Sequence, residues 1–350
     1  MTSTCARIAV LAVCLCAGNA EGAHAAEPAG FFGVVPQATP SSAELARLQG
    51  VVGTLRIPIY WSECEPAPGE FDFAALDALV GAAADHGIRV QPFVFGTPSW
   101  LAAEQARPPL APRARAAWGD FLEVLVKRYG RGGEFWRGRS RRQPIRLWQV
   151  WNEPNFVVFW RPWPRPRAYA RLLHISARAL RRADPRARIA LAGVAPVNSG
   201  IRTWVFLRRL FRVPGVGRDF DIAAIHPYAT NLPQLDYQLR QARREMAGAG
   251  LGGRPLLVGE LGVASRGDFP SAFVLGLGGQ AEFLRMAYGR LLEMRRSWRI
   301  VGVDWFALRD AAEPDPNCSF CQGAGLLDLA ERPKPAWWAL RQTVESNGVR

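Results

Sequence analysis

Eight short apolar runs rich in β-branched residues alternate with longer amphipathic stretches along almost the whole of this chain. The runs cover 31–36, 54–60, 90–95, 147–152, 189–195, 222–228, 256–260 and 301–306. Between them lie helical candidates at 42–49, 73–86, 113–129, 166–183, 203–211, 235–247, 280–298 and 335–345. Strand and helix in strict alternation build a parallel sheet covered by helices, and eight such units in 350 residues predict a (β/α)8 barrel. Local stop signals agree with the boundaries: Gly87, Asp184-Pro185 and Gly250 each follow a helical stretch. No linker, low-complexity tract or repeat of twenty to fifty residues interrupts the pattern, so residues 26–350 are expected to form one domain. The proline-rich 161–166 segment is expected to be a loop over the barrel mouth.

A barrel of this kind places its chemistry where strands end and the following loops begin. Arg56, Asn152, Glu153, His226, Tyr228, Glu260 and Trp305 all fall at or just beyond such strand ends. Polar groups there have a reason that buried carboxylates in mid-strand would lack, because an unpaired buried charge is costly. Two glutamates stand out: Glu153 in Leu147-Trp-Gln-Val-Trp-Asn-Glu-Pro-Asn155, and Glu260 in Pro255-Leu-Leu-Val-Gly-Glu-Leu-Gly262. Glycoside cleavage needs one carboxyl that protonates the leaving oxygen and a second that stays ionised to meet the oxocarbenium-like centre. Two carboxylates on rigid strand ends suit that division of labour.

On these residues the chain resembles the retaining glycoside hydrolases of clan A, most closely the group of families 5 and 39. The resemblance extends over nearly all of the chain after its leader. It rests on Asn152-Glu153-Pro154 ending the fourth strand, Glu260 ending the seventh and His226-Pro227-Tyr228 on the sixth. It rests also on Arg56-Ile-Pro-Ile-Tyr-Trp-Ser-Glu-Cys-Glu-Pro66 followed by Pro68-Gly69-Glu70-Phe71-Asp72-Phe73, on Gly325-Leu-Leu-Asp328 and on Pro333-Lys-Pro-Ala-Trp337. It implies Glu153 as acid/base, Glu260 as nucleophile, and Asn152 as the partner of the sugar 2-hydroxyl. It further implies that Arg56 keeps Glu260 ionised, that Tyr228 donates to the nucleophile with His226 beside it, and that Trp305 forms the apolar floor under the sugar. Cleavage with retention then requires carboxyl groups about 5 to 5.5 Å apart, against nearer 9 Å for inversion. A transglycosylase would use the same residues, and a carbohydrate-binding barrel without turnover is the non-enzymatic alternative.

Trp160 and Trp163, in the loop after the fourth strand, are candidate sugar platforms, as are Trp100 and Trp151. Trp337 and Trp338 are expected to pack in the core or under a lid. Only four histidines are present, at positions 24, 86, 174 and 226, and no second Cys or His pair accompanies Cys318-Ser-Phe-Cys321. No metal and no cofactor are therefore expected. Residues 1–25 resemble a secretory signal peptide, with Arg7, an apolar run at 8–17 and Ala23-His24-Ala25. A lipid anchor at Cys14 or Cys16 is disfavoured by Val13 and Leu15. A secreted or periplasmic protein follows, in which Cys318 and Cys321 close a small disulfide loop and Cys64 stays unpaired.

The apolar run of the leader is too short to span a bilayer, and no later stretch offers about eighteen uninterrupted apolar residues. The net charge of +14 is almost all arginine, since Lys127 and Lys334 are the two lysines. Genomic base composition accounts for that bias, so nucleic acid is not an expected partner. A carbohydrate substrate is expected, acidic or neutral, acted on by a monomer.

Overall fold

The computed structural model describes residues 29–347 apart from 268 and 269. The leader and its three cysteines lie outside the described residues. Eight parallel strands form a nearly closed (β/α)8 barrel: β1 (Phe32–Val35), β2 (Thr54–Tyr60), β3 (Arg89–Phe95), β4 (Leu147–Val150), β5 (Arg188–Ala190), β6 (Ala223–Ile225), β7 (Leu256–Leu261) and β8 (Ile300–Phe306). Hydrogen-bonded pairing runs β5-β4-β3-β2-β1-β8-β7-β6. The seam between β5 and β6 is joined by two parallel bridges, Ala190 to Ile222 and Val194 to Ile225. Both strands flanking that seam are shorter than their apolar runs predict. Beyond Ala190 the backbone still pairs, with Leu191 N donating to Ile222 O at 3.0 Å and His226 N to Val194 O at 3.0 Å, but only at alternate points.

Each strand feeds a covering helix. They are α1 (Ser42–Leu48), a short α2 (Trp61–Cys64) and α3 (Ala74–Asp85), then α4 (Pro112–Tyr129), α5 (Pro166–Ala183) and α6 (Thr203–Phe211). The set is completed by α7 (Leu232–Gly248), α8 (Gly276–Met294) and α9 (Pro335–Ser346). Their starts obey ordinary end chemistry. Ser41 and Glu44 form a capping box on α1, and Asn231 caps α7 by accepting from Gln234 N. Proline occupies the first turn of α4, α5, α7 and α9, where no backbone N–H is needed. No helix among the described residues is long and apolar enough to cross a membrane.

Two layers of packing support the barrel mouth. Outside β2 to β4, a chain of edge-on rings runs from Trp61 to Trp118 (5.3 Å), to Trp151 (6.0 Å), to Trp160 (5.9 Å) and to Tyr169 (6.0 Å). Trp100 joins it from the side, against Trp61 at 5.9 Å, with its indole N–H on Glu65 O. Inside the barrel the filling is polar. Thr54, Gln91 and Asp304 form a buried cluster, with Gln91 Nε2 donating to Asp304 Oδ2 at 2.8 Å and Thr54 Oγ1 to Asp304 Oδ1 at 3.3 Å. Gly33 on β1 makes room for it, since a Cβ there would overlap both Asp304 Oδ1 and Thr54 Oγ1. Gly33→Ala should therefore overpack the barrel floor and lower stability by about 1–3 kcal/mol. A urea titration of the variant checks this, and an unchanged midpoint would show that the cluster tolerates the methyl group.

Candidate active site

Six of the seven strand-end residues converge at the C-terminal mouth, around one guanidinium. Arg56, on β2 and wholly buried, spreads its nitrogens over three other strands. Nε donates to Gln149 Oε1 of β4 at 3.1 Å, Nη1 to Glu260 Oε1 of β7 at 2.6 Å, and Nη2 to Asn152 Oδ1 at 3.0 Å. Nη2 also approaches His226 Nε2 at 3.3 Å. Because a guanidinium can only donate, the proton of a neutral His226 sits on Nδ1, and Nδ1 lies 2.7 Å from Glu153 Oε1. Tyr228 donates to the other oxygen of Glu260, Oε2, at 2.6 Å.

The backbone aims the two carboxylates. After β4 the chain stays pinned on both sides, with Trp151 N donating to Val94 O at 2.9 Å and Glu153 N to Gly193 O at 3.1 Å. Between these anchors Trp151 (φ 72°) and Glu153 (φ 35°) adopt left-handed conformations that side chains other than glycine rarely take. The turn sends Trp151 outward into the aromatic layer and Glu153 inward over His226. Strain of this kind persists only where the surroundings enforce it. Asn155 supplies part of the enforcement, donating from Nδ2 to Ala195 O (2.9 Å) and Ile201 O (3.1 Å). On β7, pairing with β8 shifts register between Val258 and Leu261, and Glu260 lies in that irregularity, a common device for re-aiming a side chain.

One oxygen of Glu153, one of Glu260 and a ring nitrogen of His226 all lie within 4.8 Å of one another. The two carboxyls are nevertheless in opposite electrostatic settings. Burial pushes Glu153 above the usual carboxylate range, and the nearby charge of Glu260 adds to the rise, against the opposing pull of His226 and Arg56. Burial also acts to raise Glu260, but the neighbouring His226 and Arg56 and the hydrogen bonds from Tyr228 and Arg56 outweigh it and hold the group below the usual range. The triad is a poor metal site. Both Glu260 oxygens already accept hydrogen bonds, and the Arg56 charge stands where a dication would be repelled.

Trp305 does not join this group. It is fully buried and points out of the barrel against Phe283 and Tyr288 of α8, each with centroids 6.4 Å away, so it cannot floor a sugar site. Successive residues of a strand face opposite sides, and the inward position belongs to its neighbour Phe306. Phe306 is partly exposed and lies edge-on to Tyr228 at 6.2 Å. Phe320 and Phe273 complete an aromatic wall, with Phe320 5.3 Å from Tyr228 and Phe273 stacked on Phe320 at 5.0 Å. Phe320 lies between Cys318 and Cys321, which are disulfide-bonded.

The loop carrying Phe320 is anchored by the buried Lys334 ammonium, which donates to Asp310 Oδ1 (2.8 Å), Gly323 O (2.9 Å) and Ser265 Oγ (2.9 Å). Trp160 is likewise no platform, being buried between Trp151 and Tyr169. Trp163 is half exposed, at the head of a groove on the barrel flank. Trp337 is core as expected, whereas Trp338 is exposed with Arg341 over its ring. Cys64 is buried and free, its thiol pushed up to about 12 by burial and by Glu63 and Asp72.

No protein-family profile matches the chain. The β-xylosidase of Geobacillus stearothermophilus is 28% identical over 132 residues, 35% of this chain and 22% of that protein. Among solved structures, a family 39 glycoside hydrolase from Bacteroides cellulosilyticus WH2 superposes with a TM-score of 0.66 at 19% identity, covering 91% of this chain and 64% of that one. A monomeric β-xylosidase from Caulobacter crescentus CB15 gives 0.67 at 19%, over 91% and 69%. A subfamily 5_18 glycoside hydrolase from Streptomyces cattleya gives 0.67 at 18%, over 92% and 81%. The chain thus shares its fold with glycoside hydrolases of families 39 and 5, the group its motifs resemble. It spans about a fifth of the curated relative and less than two thirds of the first of these structures.

Beneath the pair, burial raises Asp304 to about 7, and Glu260 adds to the rise, against the pull of Arg56 and the hydrogen bonds from Gln91 and Thr54. An unfolded aspartate titrates near about 4, so the folded state binds this proton more tightly. The stability it contributes is complete below about 4 and is lost as pH rises toward about 7. Urea midpoints of the parent relative to Asp304→Asn should therefore fall across that window and level off above it. A difference independent of pH would mean that Asp304 keeps an ordinary titration.

Proposed function

We propose that the protein is a retaining O-glycosyl hydrolase, with Glu153 as acid/base and Glu260 as nucleophile. The observation that carries this reading is the split environment of two buried carboxyls with oxygens within 4.8 Å, one pushed above the usual carboxylate range and the other held below it. Oxygens within 4.8 Å of each other suit direct attack by a carboxylate and leave no room for the water that inversion needs between enzyme and sugar.

In the first step, Glu260 Oε attacks the anomeric carbon while Glu153 gives its proton to the departing oxygen, so a glycosyl ester forms as the glycosidic bond breaks. Esterification removes the Glu260 charge that helps to keep Glu153 protonated. Glu153 then becomes the base that takes a proton from water, and the water oxygen opens the ester with net retention. His226, bonded to Glu153, holds the acid in place. Tyr228 and Arg56 occupy the two oxygens of Glu260 and balance its charge until attack. Asn152, tied to Arg56 through Oδ1, is positioned to meet the sugar 2-hydroxyl. The wall of Tyr228, Phe306 and Phe320 offers apolar faces to the C–H side of a sugar ring.

The fold relatives include proteins described as β-xylosidases and an exo-β-1,4-mannosidase from Opitutaceae bacterium strain TAV5, and a β-linked neutral or acidic glycan is the substrate class we assign. The leader-like residues 1–25 and the Cys318–Cys321 disulfide support export from the cytoplasm.

Purified protein incubated with xylan, β-glucan, mannan and an acidic glycan should release reducing ends from one class, with retained anomeric configuration by NMR. Glu260→Ala should abolish release. Glu153→Gln should lower it roughly 10²–10⁴-fold, with a smaller loss on aryl glycosides whose leaving group needs little protonation. Equal glycan binding by all three proteins with no release from any would replace the enzyme with a binding barrel.

The pH dependence derives from the same two carboxyls. The acidic limb of kcat/KM should lie below the ordinary carboxylate range, where Glu260 protonates, and the basic limb above it, where Glu153 ionises. In Glu260→Gln the Glu153 resonance should titrate lower than in the parent, because a negative neighbour is gone. An unmoved titration would argue against the charge coupling.

A further inference from the structure

A basic concavity lies on the flank of the barrel, between α5 and α6. It is a groove of about 1340 Å³, larger than the roughly 300–1,000 Å³ of small-molecule pockets, and six arginines line it: Arg165, Arg167, Arg171, Arg209, Arg212 and Arg218. All six side chains are exposed, and among the described residues none has a carboxylate within ion-pairing distance. That contrasts with Arg128, Arg182, Arg208 and Arg290 elsewhere on the surface, each of which meets an aspartate or glutamate. The acidic residue in the groove, Asp219, is already taken by His174 Nδ1 at 3.0 Å. Six unneutralised guanidiniums in one concavity create a strong local positive potential, which calls for a polyanion.

The upper end of the groove lies beside the turn that carries Glu153. Both helices run from the barrel mouth toward its base, so the lining begins at the mouth with Trp163 and Ile201 and descends to Arg218. Ile201 N donates to Asn155 O at 2.8 Å, two residues beyond Glu153. Trp163, half exposed, presents an indole face at the upper end.

We propose that this groove binds an acidic polysaccharide, a chain carrying uronate carboxylates, alongside the stretch engaged at the mouth. The carbohydrate nature of the occupant rests on the glycosidase reading, and the polyanionic character rests on the groove alone. Guanidinium forks match planar carboxylates in bidentate fashion, and an aromatic face at the entrance suits a sugar ring.

The test measures binding of fluorescent oligogalacturonates to the full protein at two salt concentrations. Arg171→Gln/Arg209→Gln/Arg212→Gln is compared with a control of equal charge loss on α7 and beyond, Arg244→Gln/Arg285→Gln/Arg296→Gln. The groove variant should bind at least tenfold more weakly with a shallower salt dependence, the control within about twofold of the parent, and neutral xylo-oligosaccharide binding should be unchanged. The proposal fails if the parent does not bind, if the control loses as much as the groove variant, or if single-stranded DNA of equal length binds the groove more tightly than the oligogalacturonate. Hydrolysis of aryl glycosides is measured in parallel and should be equal in all three proteins. Absence of hydrolysis with the groove effect intact would sink the enzymatic reading and leave the anion site standing.

Discussion

The buried guanidinium of Arg56 is the interaction on which the rest of the site depends. It touches Gln149, Asn152, His226 and Glu260, and so ties four strands to one point. A charge removed from water is costly unless it is paired and hydrogen-bonded, and here each of the three nitrogens has at least one partner. The same arrangement explains how Glu260 stays ionised while almost fully buried. Were Arg56 absent, Glu260 would keep the Tyr228 hydrogen bond but lose its buried ion-pair partner, a loss on the order of 3–5 kcal/mol for a broken buried pair. Its neutralisation would also remove the asymmetry on which any division between acid and nucleophile rests.

Much of this was legible in the sequence because strand ends in a parallel barrel are predictable points in space. The alternation of apolar runs places Arg56, Glu153, His226, Tyr228 and Glu260 on one rim without any knowledge of their contacts, and the structure brings these residues together with Asn152. Trp305 escaped the same logic for a reason of parity. A strand turns successive side chains to opposite faces, so a one-residue error in register exchanges a barrel-mouth residue for one packed on a helix. Phe306 holds the inward place, while Trp305 rests on Phe283 and Tyr288. Trp160 departs from expectation differently: a loop position suggests exposure, but the loop folds back so that its ring continues the stack from Trp61 to Tyr169.

Other parts carried no local signal at all. Phe320 sits in a loop whose position depends on a buried contact between Lys334 and Asp310, a pairing that no local sequence pattern announces. The polar cluster of Thr54, Gln91 and Asp304 is equally hidden, because each residue lies within a strand that reads as mainly apolar. Glycine was the available clue. Gly33 and Gly193 interrupt strand-like runs, and in each case a methyl group would collide with a buried polar side chain, Asp304 in the first and His226 in the second. A glycine inside a strand marks a place where something comes close.

These glycines connect the barrel floor to the rim. Gly193 leaves the space that His226 fills, and its carbonyl accepts the Glu153 amide, which fixes the left-handed turn of that residue. One small residue thus sets both the donor that faces Glu153 and the backbone that aims it. His226 in turn lies between Arg56 and Glu153, so the position of the Glu153 carboxyl is coupled through one ring to the guanidinium that pairs with the other carboxyl. Displacing the imidazole would loosen Glu153 and take from Arg56 Nη2 one of its two partners, which is why the two carboxyls are better regarded as a single buried hydrogen-bonded unit than as two separate groups.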